Sequence, residues 1–476
     1  MGSDWSVSKL KDVCSKIGSG ATPRGGSSVY LDTGEYSLIR SQNIRNESFD
    51  HNGLAFIEEH HADKLSNVEV EDRDVLLNIT GDSVARCCQV DPSILPARVN
   101  QHVAIIRPLT SILDALYLRY YFISPLMQSE MLSLSGVGAT RNALTKTMIE
   151  GFEIPLPPLP EQKRIAHILG TLDDKIELNR KMNATLEAMA QALFKSWFVD
   201  FDPVIDNALR AGNPIPEPLQ QRAETRRKIL GERSSSCVTT SKDGAGAPSL
   251  PDPHSHLFPA TFTHSEDLGW MPEGWEAGTI SDLCSKVQNG GTPRRSNEDY
   301  WNNGSVPWLT SGEVRQAVIT TVKNSISELG LQNSSAKWLP KRSTVVAMYG
   351  ATAGQVAFIS QPLTTNQAVC GLIPKEGHEH FNYLLIQGKV KHFENQARGS
   401  AQQNISKGII EQSASIIPPL NLIQLFELLA CPSFEKWSSN IRLNTELSKL
   451  RDTLLPKLIS GDLIPSNSRI TNKKSL

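Results

Sequence analysis

Hydrophobic and polar positions follow two different rhythms along this chain. Short runs such as Val99–Ile106 and Thr344–Met348 are rich in β-branched residues and bounded by Gly, Asn and Pro, which predicts strands joined by turns. A few short helices are expected beside them, for example over Leu113–Met127. From Glu161 to Phe198 the rhythm changes. Ile165, Leu169, Leu172, Ile176, Asn179, Asn183, Leu186, Ala190, Leu193 and Trp197 recur at alternating steps of four and three. That is heptad spacing, and it predicts one long coiled-coil helix opened by Pro158 and Pro160 and closed near Asp200–Pro203. Asn440, Leu443, Asn444, Leu447, Leu450 and Leu454 form a second stripe of the same kind. Pro432 and Pro456 lie on either side of it, so the second helix is expected to be interrupted near its start and to end near Leu455.

The two rhythms recur because the chain is written twice. Leu10, Cys14, Lys16, Gly20, Thr22, Pro23 and Arg24 are answered by Ile280, Cys284, Lys286, Gly290, Thr292, Pro293 and Arg294 at a constant offset of 270. Trp5 and Trp275, Tyr30 and Tyr300, and Ser41 and Ser311 keep the same offset. Further on the offset shrinks as loops differ. Val75–Gly81 answers Thr344–Gly350, Asn100-Gln101 answers Asn366-Gln367, and Ala139–Asn142 answers Ala401–Asn404. Two copies of a unit of roughly 200 residues exclude a solenoid of short repeats. Each copy reads as an α+β front portion followed by a heptad helix, and the nearest partner for each long helix is its duplicate. The stretch 203–265, with Ser234–Ser236 and the Gly/Ala/Pro-rich run after Gly244, reads as a partly flexible surface joint holding a short charged helix over Gln220–Arg233.

Composition narrows the function classes. With 476 residues, 39% of them hydrophobic, the chain has material for more than one core. No 18 apolar residues run together and Met1–Trp5 carries no basic lead-in, so neither a membrane span nor a signal peptide is expected. Seven cysteines without a CxxC argue for a reducing cytoplasm and against a disulfide frame or cysteine zinc site. The net charge of −2 lacks the global basicity of a small autonomous nucleic-acid binder. There is no phosphate-loop motif, no HExxH and no GxSxG. The glycine pairs Gly18/Gly20 and Gly136/Gly138 lack a strand–helix setting. His254/His256 and His378/His380 read as polar loop residues without further ligands. Cys87-Cys88 reads as two small core residues. These readings favour binding over catalysis, and no metal.

The segment Leu156–Ala166, Leu-Pro-Pro-Leu-Pro-Glu-Gln-Lys-Arg-Ile-Ala, resembles the signature of type I restriction–modification specificity (S) subunits. The likeness continues through Leu172–Asn179, Leu193–Phe201, the two Gly-x-Thr-Pro-Arg segments, Leu268–Trp275 and Leu454–Gly461, and covers essentially the whole chain. It implies an α+β fold with two repeated α/β target-recognition domains separated by two long antiparallel coiled-coil helices. It also implies a non-catalytic subunit, each domain of which reads one half of a bipartite asymmetric site on double-stranded DNA. The helices would act as spacer and as docking surface for two methylation (M) subunits, with restriction (R) subunits in the full complex. No cofactor is then expected on this chain, and S-adenosylmethionine, ATP and magnesium belong to the partners. The domain bounds that follow are 1–157 and 266–417 for recognition, 158–202 for the first helix, 203–265 for the joint, and 418–476 for the second helix and tail. One departure stands out: Asn421–Gln424 replaces Pro160–Lys163, which puts the symmetry of the two docking surfaces in question.

Direct readout of bases needs Arg, Asn or Gln at base edges, and phosphates take Arg, Lys, Ser or main-chain amides. Polar residues at matched positions are the candidates: Thr22 and Arg24 with Thr292, Arg294 and Arg295; Arg40 and Ser41 with Thr310 and Ser311; Arg86 with Gln355; Arg141 and Asn142 with Gln403 and Asn404. Mismatched pairs such as Arg40 and Thr310 are where different half-sites would be encoded. The competing reading is structural. Asn100-Gln101 and Asn366-Gln367 would bond loop backbone, and Thr-Pro-Arg would be turn chemistry. Candidates for the helix seam and partner docking are Leu172, Ile176, Asn179, Asn183, Leu186, Leu193, Trp197, Leu443, Leu447, Leu450 and Leu454. Two other function classes remain open at this stage, a scaffold that tethers partners without nucleic acid and a diverged enzyme. Residues 1–150 carry 14 basic and 18 acidic side chains and residues 275–415 carry 13 and 10, so a DNA-binding face on the first copy would be a local patch.

Overall fold

A computed structural model describes residues 5–46, 48–136, 143–236, 254–398 and 404–463. Arg141, Asn142 and Gln403 lie outside the described residues. The chain divides into two compact units, 1–178 with 443–476, and 179–442. The division falls inside both long helices, so each helix contributes one stretch to each unit.

In the first unit, Cys14–Ser19, Val103–Pro108, Val75–Asn78 and Cys87–Gln89 form an antiparallel four-stranded sheet in that order. A second sheet orders Ala55–Ile57, Tyr36–Ile39, Ala97–Val99 and Glu69–Val70, with the middle pair parallel. One core lies between the sheets, around Leu38, Leu76, Val99 and Ile105. The other lies under helix Ala115–Ile123 and takes in Ile165, Leu169, Leu455 and Leu458 from the long helices. Residues such as Leu76 and Leu77 are both buried because the strand is covered on both faces, which explains its unbroken apolar run.

The second unit repeats this topology strand for strand. Cys284–Asn289, Val369–Pro374, Thr344–Ala347 and Val356–Ile359 form its first sheet, extended by Val318–Ile319. Asn324–Ile326, Val306–Leu309, Leu363–Thr365 and Trp338–Leu339 form its second. Even the irregularities match, since the register shift between Cys14 and Lys16 recurs between Cys284 and Lys286. The fold class is thus α+β with a duplicated unit.

Leu159–Phe198 and Leu420–Ile459 are the long helices, 40 residues each. Within the first unit Asn444 Nδ2 donates to the Ile176 carbonyl (3.2 Å) and Arg451 Nη1 to Asp173 Oδ1 (2.9 Å). As one helix advances the other retreats, which is antiparallel pairing. The second unit gives the same sense, with Asn440 Nδ2 donating to Asn183 Oδ1 (2.9 Å) and Phe194, Trp197 and Phe198 packed with Phe426.

The structure departs from four sequence expectations. First, the second helix is not interrupted: Pro432 and Pro456 lie inside it. A proline frees the carbonyl four residues back, and here those are Leu428 and Asp452, both exposed, where water can take them. Buried Ala430, Phe434, Leu455 and Leu458 hold the helix on its cores despite the lost bonds. Second, Leu443 and Leu450 are not seam residues, being 40% and 47% exposed. The seam runs one position on, through half-buried Asn444 and buried Arg451, because a polar cluster and not a leucine ladder occupies the middle of the pair. Ile176, Asn179, Asn183 and Trp197 are buried, while Leu172, Leu186, Leu193, Leu447 and Leu454 are half-buried. Third, the joint carries more fixed structure than its composition suggests. The expected charged helix is present as Gln220–Ser236, and a further helix, Asp202–Ala211, is clamped to it by Arg222 forking onto Asp202 (2.7 Å twice) and Arg226 onto Asp206. Fourth, His380, read as a loop residue, sits buried in helix Glu379–Gln387.

Both long helices are pinned near their starts by a side chain that satisfies backbone groups. Gln162 accepts from the Asp114 amide (2.8 Å) and donates to the Ile112 and Pro157 carbonyls (2.9 Å each). In the second copy the degraded signature is replaced by Glu427. Its carboxylate accepts the His380 and Phe381 amides (2.8 Å each) and His380 Nδ1 (2.5 Å). The carboxylate thereby caps helix Glu379–Gln387 at its positive end.

Candidate nucleic-acid interface

The repeated Gly-x-Thr-Pro-Arg segment is built by close approach. A Cβ on Gly20 would sit 1.7 Å from the Val99 carbonyl oxygen, and one on Gly290 2.1 Å from that of Thr365. Only glycine lets the segment lie against the end of the parallel strand pair. The threonine two residues on then ties it down. The Thr22 hydroxyl donates to Gln101 Oε1, and the Thr292 hydroxyl to Gln367 Oε1. The neighbouring asparagines fold their own loops: Asn100 Oδ1 accepts from the His102 amide (3.0 Å) and Asn366 Oδ1 from the Ala368 amide (3.1 Å). Asn100 and Asn366 therefore follow the structural reading in both copies, while Gln101 and Gln367 bond the Thr-Pro-Arg loop instead of backbone.

A second repeated device follows the central strand. Gly81 and Gly350 take φ of +75° and +77°, turning the chain sharply outward. The chain returns with the Asn78 amide donating to the Arg86 carbonyl (2.8 Å) and the Ala347 amide to that of Gln355 (2.9 Å). Arg86 and Gln355 thus hold equivalent places on one frame.

The side chains on this frame differ in freedom. Ser41 and Arg86 come together in a cleft of about 440 Å³ with Arg45, Thr80 and His102. Arg24 and Arg294 are exposed, and neither side chain has a hydrogen bond or ion pair among the described residues. Arg40 is committed elsewhere: its guanidinium donates to the Gly53 carbonyl (2.5 Å) and lies over the Tyr30 ring. Thr310, its match, donates its hydroxyl (2.8 Å) and its amide (3.1 Å) to the Glu313 carboxylate, at the start of the short turn that Ser311 opens. Arg295 stacks over Trp301, 4.7 Å from the ring centroid. The Gln355 amide donates to Glu394 (2.7 Å). Asn404 bridges Tyr349 across an isolated antiparallel pair. Arg45, Thr80 and His102 were not singled out from sequence. Thr80 faces Tyr349 and His102 faces Ala368 in the alignment of the copies, so a search for matched polar pairs passes over both, whereas Arg45 is answered by Arg315 at the offset of 270 and was within reach of that search.

Cys87 and Cys88 are buried and offer no reactive thiolate. Burial pushes the Cys88 thiol up to about 12 and Cys87 well above its ordinary value. Among the described residues no group of three or more His, Cys, Asp or Glu could hold a metal, and no helix is long and apolar enough to cross a membrane.

Residues 2–188 and 272–424 match the family described as type I restriction modification DNA specificity domain. The HindI specificity subunit of Haemophilus influenzae is 31% identical over 335 residues, 67% of this chain and 71% of that one. The MjaIX specificity subunit of Methanocaldococcus jannaschii is 25% identical over 97% of this chain and 94% of its own. Among solved structures, a type I restriction–modification S subunit from M. genitalium superposes with a TM-score of 0.58 at 12% identity, covering 97% of this chain and 96% of that one. That last likeness is one of fold.

Proposed function

The chain belongs to the type I restriction–modification DNA specificity family, and from that premise we propose that each of its two units reads one half of a bipartite asymmetric site on double-stranded DNA. The chain is a DNA-recognition subunit and not an enzyme, and the family match sets aside both a nucleic-acid-free scaffold and a diverged enzyme. Subunits of this kind assemble with other subunits. We take the finer composition to be two methylation subunits docked on the long helices, joined by restriction subunits, in the cytoplasm. S-adenosylmethionine, ATP and magnesium are then bound by those partners. The helices, at about 1.5 Å per residue, set the unspecified spacer between half-sites.

The observation that carries the two-half reading is the duplicated frame with unlike side chains. Gly20/Gly290, Thr22/Thr292 and Asn100/Asn366 keep the same contacts, while Arg86 and Gln355 stand at one place with different chemistry. Such a pair holds one geometry and displays two messages. The test replaces residues 275–415 with the equivalent region of another family member and sequences the methylome of a host carrying the hybrid with its methylation subunit. One half of the methylated motif should change and the other persist. A change in both halves sinks the modular reading.

A further inference from the structure

In the first unit a chain of hydrogen bonds runs from the Thr-Pro-Arg loop to the glycine turn. The Thr22 hydroxyl donates to Gln101 Oε1, Gln101 Nε2 lies 3.0 Å from His102 Nε2, and His102 Nδ1 lies 2.6 Å from Thr80 Oγ1. With Gln101 Oε1 taking the Thr22 hydroxyl, its Nε2 faces the ring, and in that arrangement a neutral His102 accepts at Nε2 and carries its proton on Nδ1. That proton goes to Thr80 Oγ1, and the O–H of Thr80 must then point away from the ring. Thr80 lines the cleft it shares with Ser41, Arg45 and Arg86. In the second unit the same places on the frame are held by Tyr349, 45% exposed, and by Ala368, which has no ring to orient it.

We propose that Thr80 is a specificity-determining residue of the first unit, its hydroxyl turned outward as a donor, with Tyr349 as its counterpart in the second. His102 is a positioning residue that acts through Thr80. This rests on the DNA-reading function above. A hydroxyl held as a donor suits a base edge that accepts, such as guanine O6 or N7, adenine N7 or thymine O4, and is mismatched to the amino groups of adenine N6 and cytosine N4. Free of His102, the same hydroxyl rotates and takes either role. The three polar links between Thr22 and Thr80 therefore convert an ambiguous side chain into a one-sided one. Tyr349, without such a link, reads by reach and by its ring.

The experiment is methylome sequencing of hosts carrying the full chain with its methylation subunit, alongside thermal melting of each variant. Thr80→Val should lower methylation of the wild-type motif about tenfold, the loss of one hydrogen bond to DNA, with no more than the small drop in melt that the unpaired His102 Nδ1–H brings. Thr80→Ser should keep it. His102→Phe should retain the motif and admit an additional base at one position of one half. Tyr349→Leu, which removes the ring and its hydroxyl, should alter the other half alone. The proposal is overturned if Thr80→Val and His102→Phe methylate only the original motif at the wild-type rate. It is equally overturned if their effects come with a lowered melt and spread over both halves. Should the wild-type chain itself yield no bipartite methylated motif, the DNA-reading function fails, a result distinct from unaltered variants.

Discussion

Asp173 is the residue whose removal should cost the first unit most. Its carboxylate accepts from Arg119 Nη1 (2.9 Å), the Tyr120 hydroxyl (2.7 Å) and Arg451 Nη1 (2.9 Å), joining helix Ala115–Ile123 to both long helices. Both guanidiniums are buried, their side chains 6% and 7% exposed. Asp173→Ala leaves two buried cations without their shared carboxylate, and breaking a buried pair costs about 3–5 kcal/mol. Arg451 keeps exposed Asp452 at 2.9 Å, which places the expected loss toward the lower end. Burial works to raise the Asp173 carboxyl, but the Arg119 charge and the bonds from Tyr120 and Arg451 hold it below its ordinary value. A depressed carboxylate contributes stability above its unfolded value and loses it as pH falls through the folded one. The wild-type advantage over Asp173→Ala should therefore be full at neutral pH and shrink below about pH 4. Urea unfolding followed by hydrogen exchange in Ala115–Ile123 reads this unit without assuming two-state behaviour of the whole chain. Replacing Arg119, Asp173 and Arg451 together by Met, Leu and Met should recover most of the loss. A deficit under about 1 kcal/mol for Asp173→Ala at neutral pH would refute the reasoning.

Two further outcomes follow from the helix pair. Asn440→Leu alone should destabilise the second unit by about 1–3 kcal/mol, because Asn183 loses its donor in a buried seam, while the Asn183→Leu/Asn440→Leu pair should be close to neutral; a double-mutant cycle in thermal melts checks the coupling. Inserting four residues after Asn183, with a matching insertion after Asn444, adds about 6 Å to each helix and should lengthen the unspecified spacer by about one or two base pairs with both half-motifs unchanged. Methylation of the original spacing at the wild-type rate would leave the helices as docking elements only.

The duplication and the long helices were legible in the sequence because glycine, proline and heptad spacing leave marks that tertiary context rarely erases. The second helix was misread at Pro432 and Pro456 because proline's local penalty was weighed without the packing of Phe434 and Leu458 that outweighs it. Leu443 and Leu450 were misplaced by one position for a related reason. Leucine at heptad steps looks like a seam until an arginine paired to Asp173 claims the buried place, and that pairing joins residues 278 apart. In the candidate interface, matched polar residues marked loops of the repeated frame but not which side chains are free. Arg40 and Thr310 look like readers in sequence, and both are tied to local structure by contacts, to Gly53 and Glu313, that no pattern announces. His102 was hidden because its counterpart is Ala368, and a search for shared polarity discards the positions where two copies differ most.

That difference is what a duplicated reader requires. If the residues that shape the loops also read the bases, a change of half-site would disturb the fold that presents it. On the proposed reading the tasks fall on separate positions. Gly20 and Gly290 are fixed by contact with a strand carbonyl, Asn100 and Asn366 by their own loop amides, and Thr22 and Thr292 by the neighbouring glutamine. Tyr349 and Arg86 stand on that frame exposed or half-buried, where substitutions ordinarily shift stability by no more than about 0.5 kcal/mol, while Thr80 and Gln355 also hold His102 and Glu394. One hydrogen bond to a base edge is worth more than that in discrimination. On that reading selection can move the message at these places while the frame, and with it the folding of each unit, stays as it is.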